Sequence, residues 1–117
     1  MRNFRTLNVW QDAMKLVKEI YVLTEALPKT EKFGLISQMQ RCAVSIPANI
    51  AEGCGKNSNK DFARFLQISL GSIYELETHL ILCSDLGFVD EVKTQPILKN
   101  VQRLQKRIVS LIKYNNS

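Results

Sequence analysis

Five side chains in one stretch have types and spacing suited to chemistry. Gln38, Arg41, Ser45, Asn49 and Glu52 recur at intervals of three or four residues, and on a helical wheel they fall within about 80° of one another. An amide, a guanidinium, a hydroxyl, a second amide and a carboxylate placed that way can hydrogen-bond as a ladder. The bland alternative is a solvated helix face. Short residues such as Ser45 and Asn49 are poor helix formers, however, and a face turned only to water would more often carry Lys or Glu. Beside the small flank of Val44, Ala48 and Ala51 they suit a close contact between helices or subunits. Arg41 is expected to pair with Glu75, fixing the register of two neighbouring helices.

The chemistry this set excludes is as informative. His79 is the sole histidine, and the chain has no HExxH, no GxSxG and no inward ExxH pair of the di-iron bundles. Glu75 and Glu77 point to different faces of a helix. Cys42, Cys54 and Cys83 are widely separated, with no CxxC, and sit in apolar pattern where cysteine behaves as a small hydrophobe. A zinc site would require all three to converge on His79, which disfavours one. "GCGK" resembles a phosphate loop only superficially: Ile50 stands where its first glycine belongs, Asn57 where Ser or Thr is needed, and no strand precedes it. The expectation is a protein without catalytic residues, metal or cofactor.

A second set is electrostatic. The 117 residues carry 16 Lys and Arg against 11 Asp and Glu, a formal net charge of +5. Lys93, Lys99, Arg103, Lys106, Arg107 and Lys113 follow Val89 against Asp90 and Glu91 alone, so most of the excess lies in the last quarter of the chain. Lys99, Arg103, Lys106, Arg107 and Lys113 span about 120° of a helical wheel, opposite Val101, Leu104, Ile108, Leu111 and Ile112. No acidic residue follows Glu91, so the stripe is expected to lack internal neutralisation. Such a row is a footprint for phosphate.

The elements that must position these residues are all helical. Apolar residues recur at threes and fours from about Leu7 to Leu27, ahead of Pro28. A second helix is expected from Thr30 or Glu31 to Gly53, read as its stop, with Pro47 kinking it near Ala43 rather than ending it. Ser58 and Asp61 resemble a capping box for a third helix from Asn59 to about Leu86, closed by Gly87. Asp90 opens a fourth, to about Tyr114. Short connections make neighbours antiparallel. The fold class is therefore all-α, a single up-down-up-down four-helix bundle over residues 1–117. The third helix carries apolar residues on more than one face, including Ile68, Tyr74, Ile81 and Leu82. That surplus buries either deep in the bundle or against another subunit.

Two segments, "QMQRCAVSIPANIAEG" at Gln38–Gly53 and "FLQISLGSIYELE" at Phe65–Glu77, are the densest part of a match running from Val9 to Val89. Over that span the chain resembles a bacterial four-helix-bundle family. The family includes proteins encoded in intervening sequences of bacterial 23S ribosomal RNA genes and accessory variability proteins of diversity-generating retroelements. The resemblance implies a ring-forming homo-oligomer, a pentamer, with basic surfaces. For the retroelement members it implies binding of a reverse transcriptase and nucleic acid. The family's signature positions fall here on Gln38, Arg41, Ser45, Ile46, Pro47, Asn49, Ile50, Ala51, Glu52 and Gly53, then on Arg64, Phe65, Leu66, Gly71, Ser72, Glu75 and Glu77. None is catalytic in the family. Cys42 stands where alanine is expected.

Three functions then compete. The first is an oligomeric nucleic-acid-binding or ribonucleoprotein accessory that takes RNA or DNA by its phosphate backbone. The second is an oligomeric scaffold docking an acidic protein. The third, a basic amphipathic helix on a membrane surface, suffers because the fourth helix needs its apolar face for the core. Charges interrupt every apolar run, and Cys42–Ala51 is too short to span a bilayer, so the expected location is cytoplasmic.

Overall fold

The computed structural model describes residues 2–116. Helices α1 (Asn8–Thr24), α2 (Leu35–Cys54), α3 (Asn59–Asp85) and α4 (Glu91–Asn116) follow in order, with single 3-10 turns at Phe4–Thr6 and Lys29–Glu31. Each helix packs on its neighbours in sequence, and α1 closes the bundle against α4. The body measures 44 × 23 × 20 Å. That long dimension matches α3, whose 27 residues rise about 40 Å.

The core is the apolar stripe of each helix brought to one axis. Ala13, Leu16 and Ile20 of α1 meet Met39, Ala43, Ile46 and Ile50 of α2, Leu66, Ile73, Leu76 and Leu80 of α3, and Val101, Leu104 and Ile108 of α4. The three cysteines are buried free thiols. Desolvation drives Cys83 up from its ordinary 9.0 to about 11, with the Glu31 charge adding to the rise.

Three boundaries differ from the sequence expectation. Helix α1 ends at Thr24 rather than Leu27, because the amides of Glu25, Ala26 and Leu27 bond carbonyls only three residues back and tighten the turn before Pro28. Helix α2 begins at Leu35 rather than at residue 30 or 31. The Glu31 carboxylate turns back to accept from Leu35 N at 3.3 Å, and a Cβ on Gly34 would lie 3.1 Å from that oxygen. At its other end α2 runs past Gly53, which is buried within the helix. A Cβ there would approach Phe65 Cβ to 2.8 Å and Phe62 Cδ1 to 3.1 Å. Gly53 thus leaves room for Phe62 and Phe65 of α3, and the helix ends one residue later at Cys54.

The signals at Ser58 and Gly87 act as read. Ser58 Oγ accepts from Asp61 N at 3.0 Å, and Gly87 takes the left-handed φ of 74° after α3. Helix α2 continues through Pro47, whose missing N–H deprives the Ala43 carbonyl of its helical donor. A second interior proline, Pro96 in α4, was not anticipated. It frees the carbonyl of Val92, which lies on the exposed surface where water can serve it. No described helix is long and apolar enough to cross a membrane.

Candidate functional site

The polar face of α2 meets α3 at one short stretch. Ser45 Oγ and Ser72 Oγ lie 2.9 Å apart, and Asn49 Nδ2 donates to Ser45 Oγ at 3.0 Å and to the Ser45 carbonyl at 2.9 Å. One turn along, the fully buried Ser69 donates to the Ile46 carbonyl at 2.8 Å. Gln38, Arg41 and Glu52 remain exposed on α2. The ladder therefore forms at its centre, Ser45 and Asn49, and is completed by hydroxyls of α3 rather than along α2.

The expected Arg41–Glu75 ion pair does not form among the described residues. Both line one cleft of about 370 Å³, with Gln38, Cys42, Ser45 and Ser72. Glu75 Oε2 instead lies 3.2 Å from His79 Nε2, one turn along α3. Cys42 joins them from α2, so that one ligand-type atom from each of the three lies within 4.8 Å of the others. This juxtaposition escaped the sequence reading, which sought all three cysteines or a Glu-x-x-His spacing. Its available signal was Glu75 and His79 at i, i+4 facing a helix that carries a cysteine. Burial pushes the Cys42 thiol up to about 12, helped by the neighbouring Glu75 charge.

On α4 the basic row is real, but it is not free of acid. Lys99, Arg103, Lys106, Arg107 and Lys113 are all exposed. Arg107 Nη1, however, pairs with Asp12 of α1. Arg103 makes, among the described residues, only a long 3.5 Å contact with Asn100, which itself donates to both oxygens of Glu19 at 3.2 Å. Neutralisation comes from the neighbouring helix, which is why α4 alone did not reveal it. Lys99, Lys106 and Lys113 make no ion pair among the described residues. Clefts of about 620, 170 and 560 Å³ follow one another along the α1–α4 seam.

A second cationic region sits where α2 ends and α3 begins. Lys56 and Arg64 lie over the ring of Phe65 at 5.0 and 5.3 Å, and Arg2 lies 4.1 Å over Phe62. Arg2 also bonds Asn59 and Asn115, so this pole and the C-terminal end of the α4 row share one end of the bundle. The sequence reading missed it because Arg2 is distant in sequence from Lys56 and Arg64.

The surplus apolar residues of α3 are on the outside. Ile68, Tyr74 and Ile81 are nearly half exposed, and Val44 of α2 matches them. Adding a Cβ to Gly71, on the same outward face, would meet nothing within 4 Å.

Residues 5–110 match the family model described as 23S rRNA-intervening sequence protein. A solved structure, a protein of unknown function from the S23 ribosomal protein family of Bacteroides thetaiotaomicron, is similar at TM-score 0.83 and 27% identity, over 90% of this chain and 98% of that one. No curated protein matches the chain.

Proposed function

As the chain belongs to the 23S rRNA-intervening sequence protein family, we propose that it is a non-enzymatic, oligomeric nucleic-acid-binding accessory that grips RNA or DNA by the phosphate backbone. The observation that carries this reading is the row Lys99, Arg103, Lys106 and Lys113, exposed on one side of α4 with no carboxylate partner among the described residues. From Lys99 to Lys113 it extends about 21 Å, enough to follow several phosphates of one strand. The row has little aromatic interleaving, so it reads charge rather than bases.

Assembly strengthens the field. The outward apolar face of α3, with Val44 and the open Gly71, is the kind of patch that marks an interface. In a ring, and the resemblance implies a pentamer, the row would repeat around the assembly and raise the local potential.

The test is binding of labelled RNA and DNA duplexes across a salt series. Neutralising Lys99, Lys106 and Lys113 together should leave the fold intact and shrink the slope of log affinity against log salt by about 0.9 per lost contact. Unchanged affinity in that variant, or binding to acidic protein but not to nucleic acid, overturns the reading. Light scattering that returns the 13.4 kDa monomer at micromolar concentration overturns the assembly.

A further inference from the structure

We propose that Cys42, Glu75 and His79 form a binding site for one divalent transition-metal ion, with Zn²⁺ the ion whose preferences they fit. The site does not depend on the nucleic-acid reading.

The geometry comes from two helices. Glu75 and His79 are one turn apart on α3 and so share a face, while Cys42 projects from α2 across the seam. The carboxylate oxygen and ring nitrogen are 3.2 Å apart, close to the edge of about 3.3 Å that a tetrahedron with zinc–oxygen and zinc–nitrogen bonds of about 2.05 Å requires. The Cys42 sulfur, one carboxylate oxygen of Glu75 and one ring nitrogen of His79 all lie within 4.8 Å of one another. Because Glu75 is exposed, its side chain is free to close on a shared ion.

His79 provides the independent observation. It is 8% exposed, and its Nδ1 is the one buried side-chain polar atom without a hydrogen bond among the described residues. Its only bond is to the exposed carboxylate of Glu75. Hydrogen bonding among the described residues therefore satisfies one ring nitrogen and leaves the other bare, and the one partner it has is an exposed carboxylate that can turn to an ion.

The donor set selects the ion. One sulfur, one imidazole nitrogen and one carboxylate oxygen suit zinc and its neighbours, whereas Ca²⁺ and Mg²⁺ take oxygen donors almost exclusively. On binding, the Cys42 thiol releases its proton to solvent, and the thiolate and carboxylate together balance the dipositive ion. The cleft beside Cys42 and Glu75 opens the site to solvent and leaves space for a water as fourth ligand. Arg41 lines that cleft but is held by no ion pair among the described residues, so its guanidinium can swing away from the cation.

Co²⁺ is the probe. The chelator-stripped, reduced full chain is titrated with Co²⁺ alone while absorbance is recorded. One equivalent per chain should produce a thiolate-to-cobalt charge-transfer band and tetrahedral d–d bands, both lost when Zn²⁺ is added. Cys42→Ser should abolish the charge-transfer band, and His79→Gln and Glu75→Gln should each weaken Co²⁺ binding at least about tenfold. Circular dichroism of each variant verifies folding. Because His79 is the only histidine, its ring resonances in the unsubstituted chain give a measurement that needs no variant: they should shift on addition of one equivalent of Zn²⁺. Ring signals that do not move, no charge-transfer band at saturating Co²⁺, or a band that survives in folded Cys42→Ser would each overturn the site.

Discussion

Replacing Asp12 by Asn should make the protein bind nucleic acid more tightly. Asp12 holds Arg107 across the α1–α4 seam, so one cation of the α4 row is committed to an internal acid. Asn keeps the shape and the acceptor oxygen but removes the charge. The two side chains are 36% and 47% exposed, and an ion pair at such a site contributes less than about 1 kcal/mol, so the fold should hold. Freed Arg107 then offers one further phosphate contact. Each contact adds about 0.9 to the slope of log affinity against log salt, which at about 0.15 M salt amounts to about 0.7 log units, or roughly fivefold tighter binding. The plots for the two proteins should converge as salt approaches about 1 M, where the counterion term vanishes. Fluorescence anisotropy with labelled RNA and DNA at several salt concentrations measures both quantities. A slope that does not steepen, while Lys106→Ala still flattens it, would show that Arg107 faces no phosphate. Weaker binding by Asp12→Asn would refute the electrostatic argument as a whole.

Gly53→Ala should destabilise the chain by about 1 kcal/mol on thermal unfolding, since overpacking against the rings of Phe62 and Phe65 costs about 2 kcal/mol and better helix propensity recovers about 1. Gly71→Ala, with open space before it, should stabilise the isolated chain by up to about 1 kcal/mol and shift the assembly to lower mass on light scattering; unchanged mass would take Gly71 out of the interface. Alkaline pH should weaken the fold through Cys83: its thiol titrates near 9.0 unfolded and at about 11 folded, so the folded state keeps a proton that the unfolded state has lost. Stability from this group is complete below pH 9 and falls by about 1.4 kcal/mol per pH unit as pH rises toward 11. Cys83→Ala should make that part of a denaturant-midpoint profile shallower, the remaining slope coming from the raised Cys42 thiol.

The bundle was legible because its elements are encoded locally. Leu16, Ile20, Ile46, Ile50, Leu76 and Leu80 repeat at helical spacing and are all buried, and Ser58, Asp61 and Gly87 mark their boundaries by side chains that act within one turn. The extent of the match to the family, residues 5–110, accords with the resemblance carried by Gln38–Gly53 and Phe65–Glu77. What escaped depends on partners distant in sequence. Gly53 resembles a helix stop until Phe62 and Phe65 are seen against it, and Glu31 caps α2 only because Gly34 leaves room for its carboxylate. Arg107 appeared unopposed because Asp12 lies 95 residues away, and Glu75 was assigned to Arg41 when a nearer histidine on its own helix holds it. The periodicity of a helix fixes which way a side chain points. Which residue it meets depends on the axial register of two helices, which no single-helix pattern contains.

The succession of clefts between α1 and α4 has a consequence for how the bundle breathes. This seam is the least extensive contact between neighbouring helices, stitched by Asp12–Arg107 and Glu19–Asn100 at its surface, and elements with few buried contacts open at the lowest free energy. Amide hydrogens of α1 should therefore exchange with deuterium sooner than those of α2 and α3, with α1 lifting as a flap from a persistent three-helix body. Such an opening separates Arg107 from Asp12 at the same moment, so the bundle's most frequent excursion also unmasks a cation.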